Sequence, residues 1–267
     1  MNQIENVFHC LENRSSVRSY DNTKKISIEE EHQIVKAAQR SSTSFNLQTY
    51  SFISIKDPEK RKRIAELCSR QSFICDASLF FAVCVDLNKM EIATQEQGYQ
   101  YYQAKFLESF LMACVDATLA GQTASIAAES LGYGICMIGG IRNHVDKISE
   151  ILELPPKVFA IFGLCVGVPR KKNPPKARLP LSGVLFENRY DGEAVKKAMH
   201  EYNDVMAKSG IYENRHFPKE HTIKEKQASS KEYGWLEHCA RRVATQNPEK
   251  SRTELSRILL ERGFCFE

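Results

Sequence analysis

Leu79-Phe-Phe-Ala-Val-Cys-Val85 and Val158-Phe-Ala-Ile-Phe-Gly-Leu-Cys-Val166 are continuously apolar runs. A strand with one wet face alternates polar and apolar positions; these two do not, so each reads as a central strand covered on both sides. Helices are therefore expected on both faces of the sheet. Phe52, Ile53 and Ile55 read as a further strand, between two helices with clear starts. Ser27 with Glu30 forms a capping box for a helix running to about Arg40, and Asp57-Pro58 supplies an N-cap and a first-turn proline for a helix ending near Ser69. Phe106 to Leu131 is a long helical segment, apolar around much of its circumference, which one sheet face would not cover. It reads as a core helix or a dimer-interface helix. Gly132 and Gly134 end it, a short strand leads to Gly139-Gly140, and a helix from His144 to Leu154 stops at Pro155-Pro156.

The 267 residues, 42% hydrophobic and 26% charged, suffice for a full core in one large domain or a domain with an appendage, and argue against a disordered chain. The net charge of +4 is spread along the sequence and does not call for nucleic acid. Nine cysteines form no CxxC pair, and those at 84, 114 and 165 sit in apolar runs, as reduced structural thiols do. Ile4, Val7, Phe8 and Leu11 recur at helical spacing where an export signal would have its apolar core. Glu108, Asp116, Gln122 and Glu129 interrupt the most apolar helix, so no membrane span is expected. Localisation is expected to be cytoplasmic. After about Tyr190 the composition shifts: helical patterns at 192–207 and 251–262, the latter opened by Ser251 and Glu254 as a second capping box, flank a polar stretch from Lys208 to Lys231. The reading is a domain over 1–190 with a helical C-terminal extension of that domain, including a polar loop, over 191–267.

Four separated stretches combine small, hydroxyl and basic residues in the way an anionic, planar ligand needs. Arg14-Ser15-Ser16-Val17-Arg18 places two guanidiniums around hydroxyls. Residues 41–48, Ser-Ser-Thr-Ser-Phe-Asn-Leu-Gln, form a polar loop between helix and strand. Met137-Ile138-Gly139-Gly140 allows close backbone approach. Lys176-Ala-Arg178-Leu-Pro180 puts two cations on a loop after a central strand. The seven histidines are scattered and read as structural or solvated, so no metal site and no Ser-His-Asp arrangement is expected.

In order and spacing these stretches resemble the nitroreductase superfamily, specifically its NADPH-dependent nitroreductase and flavin reductase branch. The likeness runs from about residue 4 to residue 190. It is carried most by Arg14-Ser-Ser-Val-Arg-Ser-Tyr20, by Ala127-Ala-Glu-Ser-Leu-Gly132 leading into Ile138-Gly-Gly-Ile-Arg-Asn143, and by Phe162-Gly-Leu-Cys-Val-Gly167 followed by the Lys176 stretch. The resemblance implies an α+β fold with a central mixed sheet between helices, and a homodimer holding FMN noncovalently at the subunit interface. It implies that Arg14, Lys176 and Arg178 hold the FMN phosphate, with Ser15 beside them. Ser16 would meet the ribityl chain and Arg18 the N1/O2 edge of the ring. Thr43, Ser44 and Asn46 would come from the other subunit, Gln71 would meet the polar edge of the ring, and Ile138, Gly139 and Gly140 would present backbone donors near N5. No side chain is then catalytic, because the flavin itself accepts hydride.

The implied activity is hydride transfer from NADPH, by a ping-pong mechanism, to small-molecule acceptors: nitroaromatics, quinones or flavin. Arg215 and Lys219, on the polar stretch, are the cations expected to read the coenzyme's 2'-phosphate. The alternative at this point is a nonenzymatic binding protein that uses the basic 208–231 segment, although six Lys/Arg there against three Glu is a modest excess. Neither nucleic acid nor membrane is an expected partner.

Overall fold

The computed structural model describes residues 7–213, 233–244 and 251–266. Contacts group them into two compact units, one comprising the described residues through Pro175 together with those from Arg252 onward, the other those between Lys176 and Ser251.

The first unit is built on four strands, β1 (Tyr50–Ser54), β2 (Leu79–Asp86), β3 (Gly134–Ile138) and β4 (Val158–Gly167), in the spatial order β1-β2-β4-β3. The two apolar runs are the central pair, as their lack of alternation requires. All neighbours in this sheet are antiparallel; the parallel component is one bridge, Ser16 to Ile135, which lays the Arg14–Arg18 segment alongside β3. Successive side chains of β2 serve opposite cores. Leu79, Phe81, Val83 and Val85 pack with Ile34 and Ala38 of α2 (Ile28–Ala38) and with the alanines of α6 (Leu107–Ser130). Phe80, Ala82 and Cys84 pack with Ile64 of α3 (Pro58–Leu67) and Ile148 of α7 (Val145–Ile151).

The caps form as expected. Ser27 and Glu30 exchange both capping-box bonds, and Asp57 accepts from the amides of Glu59 and Lys60 at 2.8 and 3.1 Å. The second capping box does not form. The last helix is Leu255–Glu261, and its N-cap, Glu254, makes no side-chain cap bond. Arg252 instead occupies the left-handed region at φ 50°, and the chain cannot continue helically through it. Three helices carry no clear start signal and were not expected: a single turn at Phe73–Asp76, α5 (Asn88–Glu96), capped by Leu87 without a side-chain bond, and α9 (Trp235–Ala244).

The long helix α6 divides its surface. Ala113, Ala117, Ala120, Gly121, Ala124 and Ala128 form a fully covered stripe of small residues that lets the helix lie close on the sheet. Leu107, Leu111, Val115 and Leu119 form a second, exposed apolar row. By length and composition α6 is the one described helix apolar enough to cross a bilayer. Its two interior carboxylates, however, are bonded inside the protein, as described below. All nine cysteines are free. Burial pushes the thiols of Cys68 and Cys84 up to about 12, which keeps them protonated and inert.

In the second unit α8 (Gly192–Lys208) is capped by Asp191, which accepts from the amides of Glu193 and Ala194, both at 3.0 Å. Asn203 on α8 accepts from the amide of Leu236 at 2.9 Å, and Tyr202 meets the Trp235 ring edge-on, so α8 and α9 pack as a pair.

Candidate functional site

The Arg14–Arg18 segment is tied down by its backbone and by three of its side chains. The Val17 amide donates to the Ile135 carbonyl at 2.9 Å and the Val17 side chain is fully buried, which turns the flanking residues outward. Arg14 reaches Glu129 near the end of α6, Nε to Oε2 at 3.3 Å. Burial pushes the Glu129 carboxyl above its usual range while the Arg14 guanidinium pulls it down, so the pair holds one guanidinium in a fixed place rather than adding much stability. Ser15 is buried and donates to the Asn173 carbonyl at 2.6 Å, so its hydroxyl is engaged within the protein. Ser16 is half-buried and Arg18 exposed. Because the Ser16–Ile135 pairing is parallel, Arg18 runs alongside the C-terminal end of β3, where Ile138 leads into Gly139-Gly140.

At that end the backbone turns through a short 3-10 segment, Gly139–Arg142. Gly140 packs so closely on the loop after α3 that a Cβ there would stand 3.1 Å from Gln71 Nε2 and 3.2 Å from the Cys68 backbone. A side chain there would press on the Cys68 backbone and on the Gln71 amide, so the neighbours would have to give by a few tenths of an ångström. Gln71 is itself held by Nε2 donating to the Cys68 carbonyl at 2.8 Å, and the two preceding residues, Ser69 and Arg70, are both left-handed. The sequence-selected Gly-Gly turn and Gln71 are thus in contact.

Thr43, Ser44 and Asn46 lie on a loop in which Phe45, Asn46 and Gln48 all have positive φ and Phe45 is almost fully exposed. Strain of this kind persists only where neighbours over-determine it. Here the determinant is Asp116, in the middle of α6, which accepts from the Ser44 amide at 3.0 Å, the Thr49 amide at 3.2 Å and the Thr49 hydroxyl at 2.9 Å. Asp116 and Glu129 are 13 positions apart on one helix, so the two anchored segments are separated by about 20 Å at 1.5 Å per residue. Within the chain the Thr43–Asn46 loop and the Arg14 segment are thus anchored at separate parts of α6.

Lys176 and Arg178 belong to the second unit, on an exposed extended stretch where Arg178 donates to the carbonyls of Lys176 and Ala177, both at 3.1 Å. Arg215 and Lys219 lie outside the described residues. Sequence reasoning met Asp116 and Glu129 only as interruptions of an apolar helix. A carboxylate inside such a run needs a buried partner, and that was the available signal for both anchors. Arg252, which bonds the Gly139 carbonyl at 3.0 Å, gave no signal at all.

Comparison with known proteins places the chain in a family. Residues 11–168 match the nitroreductase family model, and residues 176–267 match the model of that family's C-terminal domain, so the likeness continues past Tyr190, where the sequence reading had it fade. The chain is 33% identical over 264 residues to the FMN reductase (NADPH) of Bacillus subtilis (strain 168), covering 98% of this chain and 99% of that protein. Among solved structures, B. megaterium NfrA2 superposes with a TM-score of 0.86 at 30% identity over 100% of both chains. The NfrA1 nitroreductase from B. subtilis does so with 0.84 at 33% identity over 97% of this chain and 99% of that one. Matched by the family model over more than half of its length and 33% identical to a relative over nearly all of it, the chain belongs to the nitroreductase family.

Proposed function

We propose that this protein is an FMN-dependent oxidoreductase that takes hydride from NADPH and passes electrons to nitroaromatic, quinone or flavin acceptors by a ping-pong mechanism. The observation that carries the reading is the arrangement along β3: the Gly139-Gly140 backbone packs against Gln71 at its end, and the Arg14–Arg18 segment lies alongside the strand through the parallel Ser16–Ile135 pairing. This donor set fits FMN: guanidiniums for an anionic end and an electron-rich edge, a hydroxyl for the ribityl chain, and side-chain-free backbone where a flat ring must approach closely. Bound FMN would supply the hydride-accepting centre, so the protein needs no nucleophile or general base. Arg18 would stabilise negative charge at the N1/O2 edge, Ser16 would hold the ribityl chain, and Gln71 with the Ile138–Gly140 backbone would orient the ring. The test is direct: purified protein should be yellow, and its flavin absorption should bleach on adding NADPH anaerobically. A colourless protein that neither takes up FMN nor oxidises NADPH would overturn the proposal.

Three expectations follow from the same reading. Arg178→Ala should weaken FMN binding by about 1.5–3 kcal/mol, the range for hydrogen bonds to charged groups, as read by fluorescence titration of the flavin. Light scattering should return twice the chain mass for the FMN-loaded protein. The exposed apolar row on α6 and the exposed Val7, Phe8 and Leu11 of α1 (Val7–Glu12) favour a homodimer, as does the separation that leaves Thr43, Ser44 and Asn46 to serve a neighbour's flavin. Arg215→Ala or Lys219→Ala should raise KM for NADPH while leaving kcat and NADH kinetics nearly unchanged, since a contact to the 2'-phosphate lies far from the hydride. Steady-state assays with both coenzymes decide that point. The nine free thiols suit a reducing compartment, so we place the protein in the cytoplasm.

A further inference from the structure

We infer that Arg252 is a positioning residue that locks the Gly139–Gly140 peptide in one orientation, so that the Gly140 N–H stays available to a ligand at the end of β3. The inference rests on the flavin site proposed above and adds to it a residue from the far end of the chain.

The geometry is specific. Arg252 Nη2 donates to the Gly139 carbonyl at 3.0 Å, and its Nε donates to Asn143 Oδ1 at 3.1 Å. Asn143 in turn donates from Nδ2 to the Ser69 hydroxyl at 3.0 Å, two residues before Gln71. One guanidinium therefore joins the Gly-Gly turn to the loop that carries Gln71. No peptide among the described residues is cis. A trans peptide is planar, with its C=O and N–H pointing in opposite directions. Binding the Gly139 oxygen on one side therefore directs the Gly140 N–H to the other.

This matters because two consecutive glycines have the most freely rotating backbone a chain can offer. A flipped peptide would aim a carbonyl oxygen where the flavin ring needs a donor. Contact with Cys68 and Gln71 restricts Gly140 from one direction, and the 3-10 turn of Gly139–Arg142 orients the peptide from within; the charge-assisted hydrogen bond to the Gly139 oxygen holds that orientation from outside. Arg252 sits at φ 50°, a conformation rare for a non-glycine residue and retained where surrounding bonds hold it. The neighbouring guanidinium, Arg142, does not duplicate the role, because it is directed to the Ile161 carbonyl.

Arg252→Ala, Arg252→Lys and Asn143→Ala test the inference in two independent ways. In protein stripped of FMN, amide hydrogen exchange over residues 139–143 should quicken by about tenfold in R252A, the effect of losing one hydrogen bond to a charged group, with the rest of the sheet unchanged. In FMN-loaded protein, single-turnover reduction by NADPH should slow by about tenfold with a shift in the visible flavin bands, while the FMN dissociation constant changes less; R252K should recover part of both. Unchanged exchange with unchanged rate and spectrum would overturn the inference, and so would faster exchange spread evenly over the whole chain, which would mark a general stabilising role. If R252A does not fold, R252K and N143A carry the same readings, and wild-type behaviour in both would overturn it. A wild-type protein that binds no FMN would sink the flavin reading, whereas the exchange measurement would still judge the lock itself.

Discussion

Replacing Asp116 with alanine is expected to lower the melting temperature by about 10 °C, the equivalent of roughly 3–4 kcal/mol in a chain of this size. Asp116 is 1% exposed and accepts three hydrogen bonds, two from backbone amides and one from the Thr49 hydroxyl. Hydrogen bonds to a charged acceptor contribute about 1.5–3 kcal/mol each, and removing the acceptor leaves buried donors with no replacement. The loop these bonds hold carries three non-glycine residues at positive φ, so it has every reason to relax once released. Asp116→Asn, which keeps the shape and one acceptor oxygen, should lose clearly less. Thermal melts of the two variants, with FMN titration alongside, separate the effects. If the loop serves a neighbouring subunit's flavin, D116A should lose FMN affinity in addition to stability. A D116A protein that melts within a degree or two of wild type would show that the loop is held by something else.

Gly121→Ala should destabilise the protein by about 2 kcal/mol, opposite in sign to the gain of nearly 1 kcal/mol that alanine ordinarily brings to a helix interior. Gly121 is part of the small-residue stripe of α6 that faces the sheet. A Cβ built there would collide with the Phe162 ring, with Cε2 at 2.8 Å and Val83 Cγ1 at 3.4 Å beyond it. Phe162 is 8% exposed and packed in the core, so the ring has nowhere to swing, and either it leaves its rotamer or the helix lifts from the sheet. Phe162→Leu in the same chain should recover part of the loss, and a double-mutant cycle in urea measures that coupling. If G121A is neutral or stabilising, the helix does not lie on β4 as closely as described here.

Much of the fold was legible because it rests on short-range rules. The two unbroken apolar runs read as central strands, and they form the central pair of the sheet. The capping box at Ser27 and the N-cap with proline at Asp57-Pro58 act within four residues, so they form whenever the local chain is helical. The same locality misled at Ser251 and Glu254, where the pattern is present but Arg252 is drawn away to Gly139 and Asn143 by contacts more than 100 positions distant.

The site divides in the same way. Residue types and order alone selected Arg14, Ser16, Arg18 and the Gly139-Gly140 pair, because backbone freedom and fixed charge are properties of the residues themselves, whereas Gln71 came only from the family resemblance. Only the tertiary structure decided that Gly140 touches Gln71 and that Ser15 is turned inward to Asn173. It alone decided that Asp116 and Glu129, apparent flaws in an apolar helix, are the anchors of two separate loops. Sequence determines what each residue is able to do. Which of these capacities meet depends on burial and on pairing across the sheet, energies set by contacts between positions far apart in the chain.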